Sequence, residues 1–342
     1  MKIRIRDIAI KAGVSPATVS NAINGRGGVS DEIAVQIRHL ANQMGYRATK
    51  PAGERAFVRL VMVKRHGLVV MDTQFFMELM ESIERECHAQ SLNLLITHIH
   101  IGKDKDYRER IRGICEQKCT GVIVMATEMN KDDLELFRNC VSPLIMLDNL
   151  FRHESVNSLV MNNYDAGYKA TYALHAAGHR HIEHITSTVD FNNMRYRRKG
   201  YEAAMMELDL CFSKDSFWHV TPTLDGAYHD MLTLLCEGRV PPTAFFAGND
   251  IIAVGCMKAL QEKGYRIPQD VSVIGMDDVP MCQFCSPMLT TIKVFRTDMG
   301  SAAVRMLLEL ANPHSLGFTM KVELSVVLVE RDSVYVPSDR KN

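Results

Sequence analysis

The sequence lacks any run of about eighteen apolar residues, the length that a membrane-spanning helix needs. Its basic N-terminus has neither the long apolar core nor the small-residue cleavage site of a secretory signal. The nine cysteines are an odd number scattered over 342 residues, which is typical of reduced thiols rather than of a disulfide framework. The sequence therefore predicts a cytoplasmic protein without a membrane segment.

Motifs of nucleotide-binding and acyl-transfer enzymes are also missing. The loops G-x-x-x-x-G-K-[ST] and G-x-G-x-x-G do not occur, nor does the nucleophile elbow G-x-S-x-G. Carboxylates and histidines are abundant, but nothing sets them in a catalytic frame. The sequence predicts no catalytic residue and no cofactor, and an enzyme with a doubly wound sheet is kept as an alternative.

The formal net charge of zero conceals an uneven distribution. Residues 1–50 carry a net charge of +5, so the rest of the chain carries −5. A cationic head on an anionic body favours a polyanion as the partner of the head. A solvated surface is the alternative.

The head, residues 1–47, is predicted to contain three short helices. The first spans Arg6 to Ala12 and ends at the corner Gly13-Val14-Ser15, where Ser15 can cap a second helix that runs to about Asn24. The third has its apolar residues at helical spacing: Ile33, Ile37, Leu40 and Met44. This is the helix-turn-helix plan, whose second helix fits a major groove, although a helical bundle for protein contact has the same outline.

The segment IRDIAIKAGVSPATVSNAINGRGGVSDEIAVQIRHLANQMGYR resembles the N-terminal domain of the LacI/GalR family of bacterial transcriptional regulators. The frame AGVS-x-ATVS, NG, VS and GYR occurs in the family's order over about 43 residues. The resemblance implies that Ala17 and Asn21 face base edges and that Thr18 and Ser20 contact phosphate. The head residues predicted to contact DNA are Ser15, Pro16, Ala17, Thr18, Ser20 and Asn21.

One position of the predicted recognition helix departs from the family. Members most often carry arginine where this chain has Asn21. Arginine suits guanine and asparagine suits adenine, so the sequence predicts a changed base preference at that operator position.

The linker, residues 48–57, also departs from the family. Members have a hinge helix here that enters the minor groove and wedges a leucine between bases. In this chain Gly53 and Arg55 replace the arginine and the leucine, and Pro51 with Gly53 weakens a helix. Arg55 is predicted to enter a narrow minor groove by charge. A flexible tether is the favoured alternative.

The body alternates short apolar runs with amphipathic stretches. Alternation at this spacing indicates βαβ units and doubly wound parallel sheets. The predicted strands are 60–63, 92–99, 121–127, 142–149, 181–188, 243–250 and 271–278.

Polar and aromatic residues follow these strands, at the sheet edge where such folds bind ligands. Carboxylates accept from hydroxyls, an arginine donates a fork, and a phenylalanine face covers a sugar ring, so the set suits a polyhydroxylated small molecule. Purely structural roles stay open for these residues: Asn249-Asp250 as a helix cap, Phe75 and Phe76 as core, and Arg197 as the partner of an acid.

The resemblance to the LacI/GalR family continues over residues 58–337, in segments such as NDIIAVGCMKALQEKGYRIPQDVSVIGMDD. It implies a two-lobed body like a periplasmic sugar-binding protein, with an N-lobe of about 58–160 and 292–325 and a C-lobe of about 161–291 and 326–337. Thr73 and Gln74 depart from the family's Asn-Pro, so the resemblance does not predict the hydrogen bonds at that rim of the cleft. The residues predicted to line the effector cleft are Phe75, Phe76, Asp148, Arg197, Asn249 and Asp277.

Several cysteines and histidines are possible metal ligands, but their spacing does not favour a metal site. Cys282 and Cys285 form a lone C-x-x-C without the two further ligands that zinc needs. His181 and His184 point to opposite faces of a strand. No metal site is predicted, and a ligand or pH role for His98 and His100 stays open.

Together these features predict a sequence-specific transcriptional regulator, a repressor, whose affinity for operator double-stranded DNA is controlled by a small ligand between the lobes. The expected ligand is a sugar or a sugar derivative. One head makes few base contacts, so a homodimer on a paired site is predicted. The alternative is a regulator of the same fold that is controlled mainly by a partner protein.

Overall fold

A computed structural model describes residues 4–24, 28–44, 56–70, 74–312 and 317–335. The chain divides into two units, 1–55 and 56–342. Residues 48–55 of the predicted linker lie outside the described residues, and the first strand begins at Phe57.

The first unit holds three helices, α1 (Ile5–Ala12), α2 (Pro16–Asn24) and α3 (Asp31–Gln43). The Thr18 amide donates to Oγ of Ser15 at 3.0 Å, which caps α2 as the sequence predicts. Gly13 adopts a φ of 67°, the left-handed conformation that lets α1 end in a tight corner. Ile8, Val19 and Ile37 meet in the core of this unit.

Ile33, which is predicted to share one face of α3 with Ile37, Leu40 and Met44, does not lie on the buried face. Its side chain is 42% exposed, and the buried positions of α3 are Ala34, Ile37 and Ala41. The buried stripe follows the i, i+3, i+7 spacing from residue 34, which turns residue 33 toward solvent. Small alanines allow α3 to approach α1 and α2 closely.

The second unit contains two six-stranded sheets, which confirms the predicted α/β fold. Their strand orders are β11-β5-β4-β3-β1-β2 and β12-β10-β9-β8-β6-β7. Neighbouring strands are parallel except that β12 runs antiparallel to β10. The strands are β1 (Phe57–Lys64), β2 (Asn93–His100), β3 (Gly121–Met125), β4 (Leu144–Leu147), β5 (Ser158–Met161), β6 (Ile182–Ser187), β7 (Phe217–Val220), β8 (Ala244–Ala247), β9 (Ser272–Asp277), β10 (Thr290–Lys293), β11 (Lys321–Leu324) and β12 (Val327–Val329).

The chain passes between the two sheets three times, after β5, after β10 and after β11. Helices connect the strands. They are α4 (Gln74–Ala89), α5 (Tyr107–Glu116), α6 (Lys131–Leu134), α7 (Asn163–Ala176), α8 (Asn192–Glu207), α9 (Leu224–Cys236), α10 (Asp250–Glu262), α11 (Met281–Phe284) and α12 (Arg296–Leu310). No helix in these described stretches is long and apolar enough to cross a membrane.

Close contact between α7 and α8 depends on two glycines. A Cβ atom on Gly167 would lie 2.0 Å from the carbonyl oxygen of Arg197, and one on Gly200 would lie 1.9 Å from that of Tyr164. The two helices can therefore touch only where side chains are missing. This contact fixes α8, which carries two residues of the pocket described below.

Candidate recognition helix and ligand pocket

The predicted DNA-contacting residues of the head occupy one surface of α2 and the turn before it. Ser15, Pro16 and Ala17 are exposed, whereas Thr18, Ser20 and Asn21 are half-buried. The opposite side of the helix is anchored by Val19 and Ala22, which are buried in the head. A short, anchored helix with small polar residues outward can approach the edges of base pairs. Arg55, the remaining predicted DNA contact, lies outside the described residues.

A cavity of about 370 Å³ lies between the two sheets, at the carboxyl ends of their strands. This is the edge at which open parallel sheets bind ligands. All six residues predicted to line an effector cleft lie on its wall: Phe75, Phe76, Asp148, Arg197, Asn249 and Asp277.

Asp148 follows β4 in the left-handed backbone conformation, with a φ of 61°. One carboxylate oxygen accepts from Oγ1 of Thr127 at 2.7 Å, and the other accepts from Nδ2 of Asn193 at 3.0 Å. Burial raises the pKa of Asp148 to about 6, against the effect of these two donors. Thr127 belongs to the half of the unit that is built around the first sheet, and Asn193 belongs to the half built around the second. The carboxylate is thus held in place by groups from both halves of the unit.

Asp277 ends β9 with a φ of 122°, a conformation that non-glycine residues rarely adopt. Its Oδ1 atom is buried and accepts no hydrogen bond from the part of the chain that the structure describes. Burial raises the pKa of this carboxyl to about 7, and the nearby Arg197 works in the opposite direction. A buried acceptor without a donor is costly, and a ligand hydroxyl would supply that donor.

The guanidinium of Arg197 is fixed by neutral acceptors. Nε donates to Oδ1 of Asn163 at 2.8 Å, and Nη1 donates to the carbonyl oxygen of Gly248 at 2.6 Å. Among the described residues it forms no ion pair, so the alternative that an acid neutralises it is not observed. Arg197 lines the same cavity as Asp148 and Asp277.

Three predicted residues have a second role beside the pocket. Asn249 caps α10, because its Oδ1 accepts from the amide of Ile252 at 2.9 Å. Phe75 and Phe76 pack edge to face with ring centroids 4.9 Å apart, and both belong to the buried core. Each of these three residues therefore has a structural role and also lines the pocket.

The wall includes residues absent from the predicted set. Thr127, Phe191, Asn193 and Thr223 line the cavity, as does Gln74. Thr127 lies two residues after the end of β3, so the rule that strand ends carry ligand contacts also indicates it. Phe191 and Thr223 lie in loops after β6 and β7, where no motif marks them.

A further group shapes the pocket without touching it. The loop of residues 65–70, which carries the wall residues Leu68 and Val69, wraps the side chain of Glu128. The carboxylate accepts backbone N–H bonds from residues 65, 66, 67, 69 and 70 at 2.7–3.0 Å. Burial acts to raise the pKa of Glu128, but these N–H groups outweigh it and the pKa is lowered. The sequence carries no motif for this arrangement.

The cysteine and histidine patterns do not form a metal centre in the described residues. Cys282 is buried, and burial raises the pKa of its thiol. His98 and His100 lie on β2, at the edge of the first sheet, and neither lines the pocket.

A three-helix head and a two-sheet unit, with a largely apolar pocket that contains two buried carboxylates and a guanidinium, are the architecture of a ligand-responsive DNA-binding regulator. Two family models match the chain: residues 4–48 match bacterial regulatory proteins of the lacI family, and residues 171–334 match a periplasmic binding protein-like domain. Similar proteins include the ribose operon repressor of Haemophilus influenzae, which is 32% identical over 337 residues, 97% of this chain and 98% of that one. The transcriptional repressor PurR of Pasteurella multocida is 30% identical over 335 residues, 96% of this chain and 98% of the other.

Solved structures share the fold over almost the whole chain. The Lac repressor dimer bound to operator and the anti-inducer ONPF matches with a TM-score of 0.74 at 22% identity, over 97% of this chain and 99% of that one. The complex of the regulator CelR with cellobiose matches with a TM-score of 0.72 at 21% identity, over 97% and 100%. The chain belongs to the LacI family of bacterial regulatory proteins. It is a DNA-binding transcriptional regulator rather than an enzyme, and an effector controls its DNA binding.

Proposed function

We propose that this regulator represses transcription as a homodimer on a paired operator, and that a sugar or sugar derivative in the pocket sets its affinity for that operator. The observation that carries the effector proposal is the buried Oδ1 of Asp277, which has no hydrogen-bond partner among the residues that the structure describes. It shares the cavity with the carboxylate of Asp148 and the guanidinium of Arg197.

These groups match the chemistry of a polyol. Hydroxyls donate to carboxylates and accept from a guanidinium, and the rings of Phe75 and Phe76 offer an apolar surface to the C–H groups of a sugar. A volume of about 370 Å³ is at the small end of ligand pockets. A relative named ribose operon repressor and a structural neighbour in complex with cellobiose agree with this class of effector.

A thermal-shift screen of the full chain against pentoses, hexoses, disaccharides and sugar phosphates tests the effector proposal. A bound sugar raises the melting temperature by mass action. We expect Asp277→Asn to abolish the shift, and Asp225→Asn, an exposed position on α9, to retain it. The proposal fails if no sugar or sugar phosphate shifts the melting temperature of the wild type.

The operator proposal places α2 in the major groove, with Ala17 and Asn21 at the base edges, Pro16 beside them, and Thr18 and Ser20 at phosphates. Two heads are needed because one makes few base contacts. We expect Asn21→Arg to change the preferred base from adenine toward guanine at one position of each half-site, worth about 1–3 kcal/mol in discrimination. Selection from randomised operators measures this, and recovery of one identical operator by both proteins would contradict it.

A further inference from the structure

Two thiols in the first half of the ligand-binding unit lie unusually close. The Sγ atoms of Cys115 and Cys140 are 2.7 Å apart. A disulfide bond measures about 2.0 Å, so a small side-chain movement separates this pair from a covalent bond. Both cysteines are free thiols in the structure.

The backbone around the pair is already tied together. Cys115 lies in the last turn of α5, and Cys140 precedes β4. The amide of Val141 donates to the carbonyl oxygen of Cys115 at 3.0 Å. A bond between the two sulfurs would therefore need no movement of one segment toward the other.

A small reagent has access to the pair from one side. Cys115 is buried, whereas Cys140 is partly exposed and lines a surface cavity of about 290 Å³ with Arg138, Ser142 and Glu154. The contact with Cys140 lowers the pKa of the Cys115 thiol, and the same contact raises that of Cys140. The two thiols share a proton across this contact, so a thiolate formed by the pair can lie on Cys140, the sulfur that the cavity exposes. The thiolate is the reactive form of cysteine.

We propose that Cys115 and Cys140 are a modification site, a dithiol that a peroxide converts into a disulfide. The thiolate attacks one peroxide oxygen and the O–O bond breaks, which gives a sulfenic acid and a hydroxide that takes up a proton as water. The second thiol then attacks the sulfenic sulfur. The S–S bond forms, the S–O bond breaks, and the departing hydroxyl leaves with the thiol proton as a second water.

This site is separate from the effector pocket and does not depend on the identity of the effector. Two thiols are oxidised to one disulfide, and one peroxide is reduced to two waters. A thiol reductant would reverse the modification by exchange.

The test uses the reduced full chain, treated with hydrogen peroxide, alkylated and digested with trypsin without reduction. Trypsin separates the three thiols of this region, because Cys115 falls in GICEQK, Cys119 in the peptide 119–131 and Cys140 in NCVSPLIMLDNLFR. We expect GICEQK linked to NCVSPLIMLDNLFR, with the mass of two hydrogens lost, in a chain that stays monomeric on a non-reducing denaturing gel. Dithiothreitol should restore the separate peptides.

Variants and competing outcomes make the test decisive. Cys140→Ser should abolish the linked peptide, whereas Cys211→Ser, at an exposed thiol in the other half of the unit, should retain it. The proposal is overturned if Cys140 links to Cys119 instead. It is equally overturned if Cys115 and Cys140 stay free while the exposed Cys211 and Cys236 are oxidised.

Discussion

At the scale of single residues, burial in the pocket disfavours the charged forms of Asp148 and Asp277 and raises their pKa values. Asp277 has a folded-state pKa of about 7, well above the value of about 4 for an unfolded aspartate. The folded chain therefore binds a proton that the unfolded chain releases between these two values. Its contribution to stability is complete below pH ~4 and is lost as the pH rises through about 7.

We expect Asp277→Asn to make the ligand-free protein more stable at pH 8 by about 1–3 kcal/mol, because it removes a buried charge with an unpartnered oxygen. At pH 5 the difference should nearly vanish. Urea unfolding of both proteins at the two pH values measures it. The two proteins must be compared with each other, because burial also lowers the pKa of His184 to about 3. This histidine makes the stability of both proteins rise with pH, opposite to the contribution of Asp277. A difference that is the same at both values contradicts the assignment.

Glu128 illustrates a residue that acts on the pocket through backbone. Its carboxylate holds the loop of residues 65–70, and with it Leu68 and Val69 on the pocket wall. Glutamine has one acceptor oxygen and places an N–H₂ group against N–H donors. We expect Glu128→Gln to lower the free energy of local opening of this loop by about 1–3 kcal/mol.

Hydrogen exchange at the amides of residues 65–70 measures that opening, without any need for a ligand. Glu109→Gln, at an exposed position on α5, is the matched control. Unchanged exchange in Glu128→Gln would show that the loop holds its shape by other contacts.

At the scale of elements, the α7–α8 contact positions Arg197 and Asn193. We expect Gly167→Ala to destabilise the protein by about 1–3 kcal/mol, because a Cβ there would lie 2.0 Å from the Arg197 carbonyl oxygen and push α8 away. Gly113→Ala is the control, since that glycine on α5 has no atom within 4 Å of an added Cβ and should gain about 0.5–1 kcal/mol. Urea unfolding that shows equal effects would contradict close packing as the cause.

Some strands and buried positions can be predicted from the sequence and others cannot, for physical reasons. Seven of the twelve strands are predicted because they stand out as apolar runs. Among the five that are missed, β11 and β12 are short, lie at sheet edges and contain no buried residue. The other three, β5, β7 and β10, have four residues each, and the polar residues Ser158, His219, Thr290 and Thr291 shorten their apolar runs. The exposure of Ile33 is not predicted for a related reason, because an isoleucine at helical spacing is a stronger apolar signal than the small alanines that form the buried stripe.

The pocket is predictable where residues end a strand or directly follow it. Asp277 is the last residue of β9 and Asp148 directly follows β4, and strand ends meet at one edge of a parallel sheet. Glu128 was not, because its role depends on five backbone amides that approach from a separate loop. Hydrogen bonds to backbone leave no residue pattern at the donor positions.

At the scale of the whole molecule, an effector must act differently on two arrangements of the chain to control DNA binding. Arg296 is placed to link the halves of the ligand-binding unit. It begins α12, and its Nε donates to Glu78 on α4 at 2.8 Å. Its other nitrogens donate to the carbonyl oxygens of Asp277, at the end of β9, and of Asp278, which follows it. Glu78 lies on the same helix as Phe75 and Phe76, so one guanidinium joins both walls of the pocket.

We expect Arg296→Ala to reduce the change in operator affinity that an effector produces, by about tenfold, while operator binding without effector persists. Arg296→Lys should recover little, since an ammonium cannot bridge three acceptors in a fixed fork. The measurement is the operator Kd with and without a sugar that raises the melting temperature, in each variant. Arg266→Ala removes an exposed ion pair with Asp270 within one half of the unit and should leave the ratio unchanged. If Arg296→Ala keeps the full ratio, the coupling runs through the strands that cross between the sheets rather than through this contact.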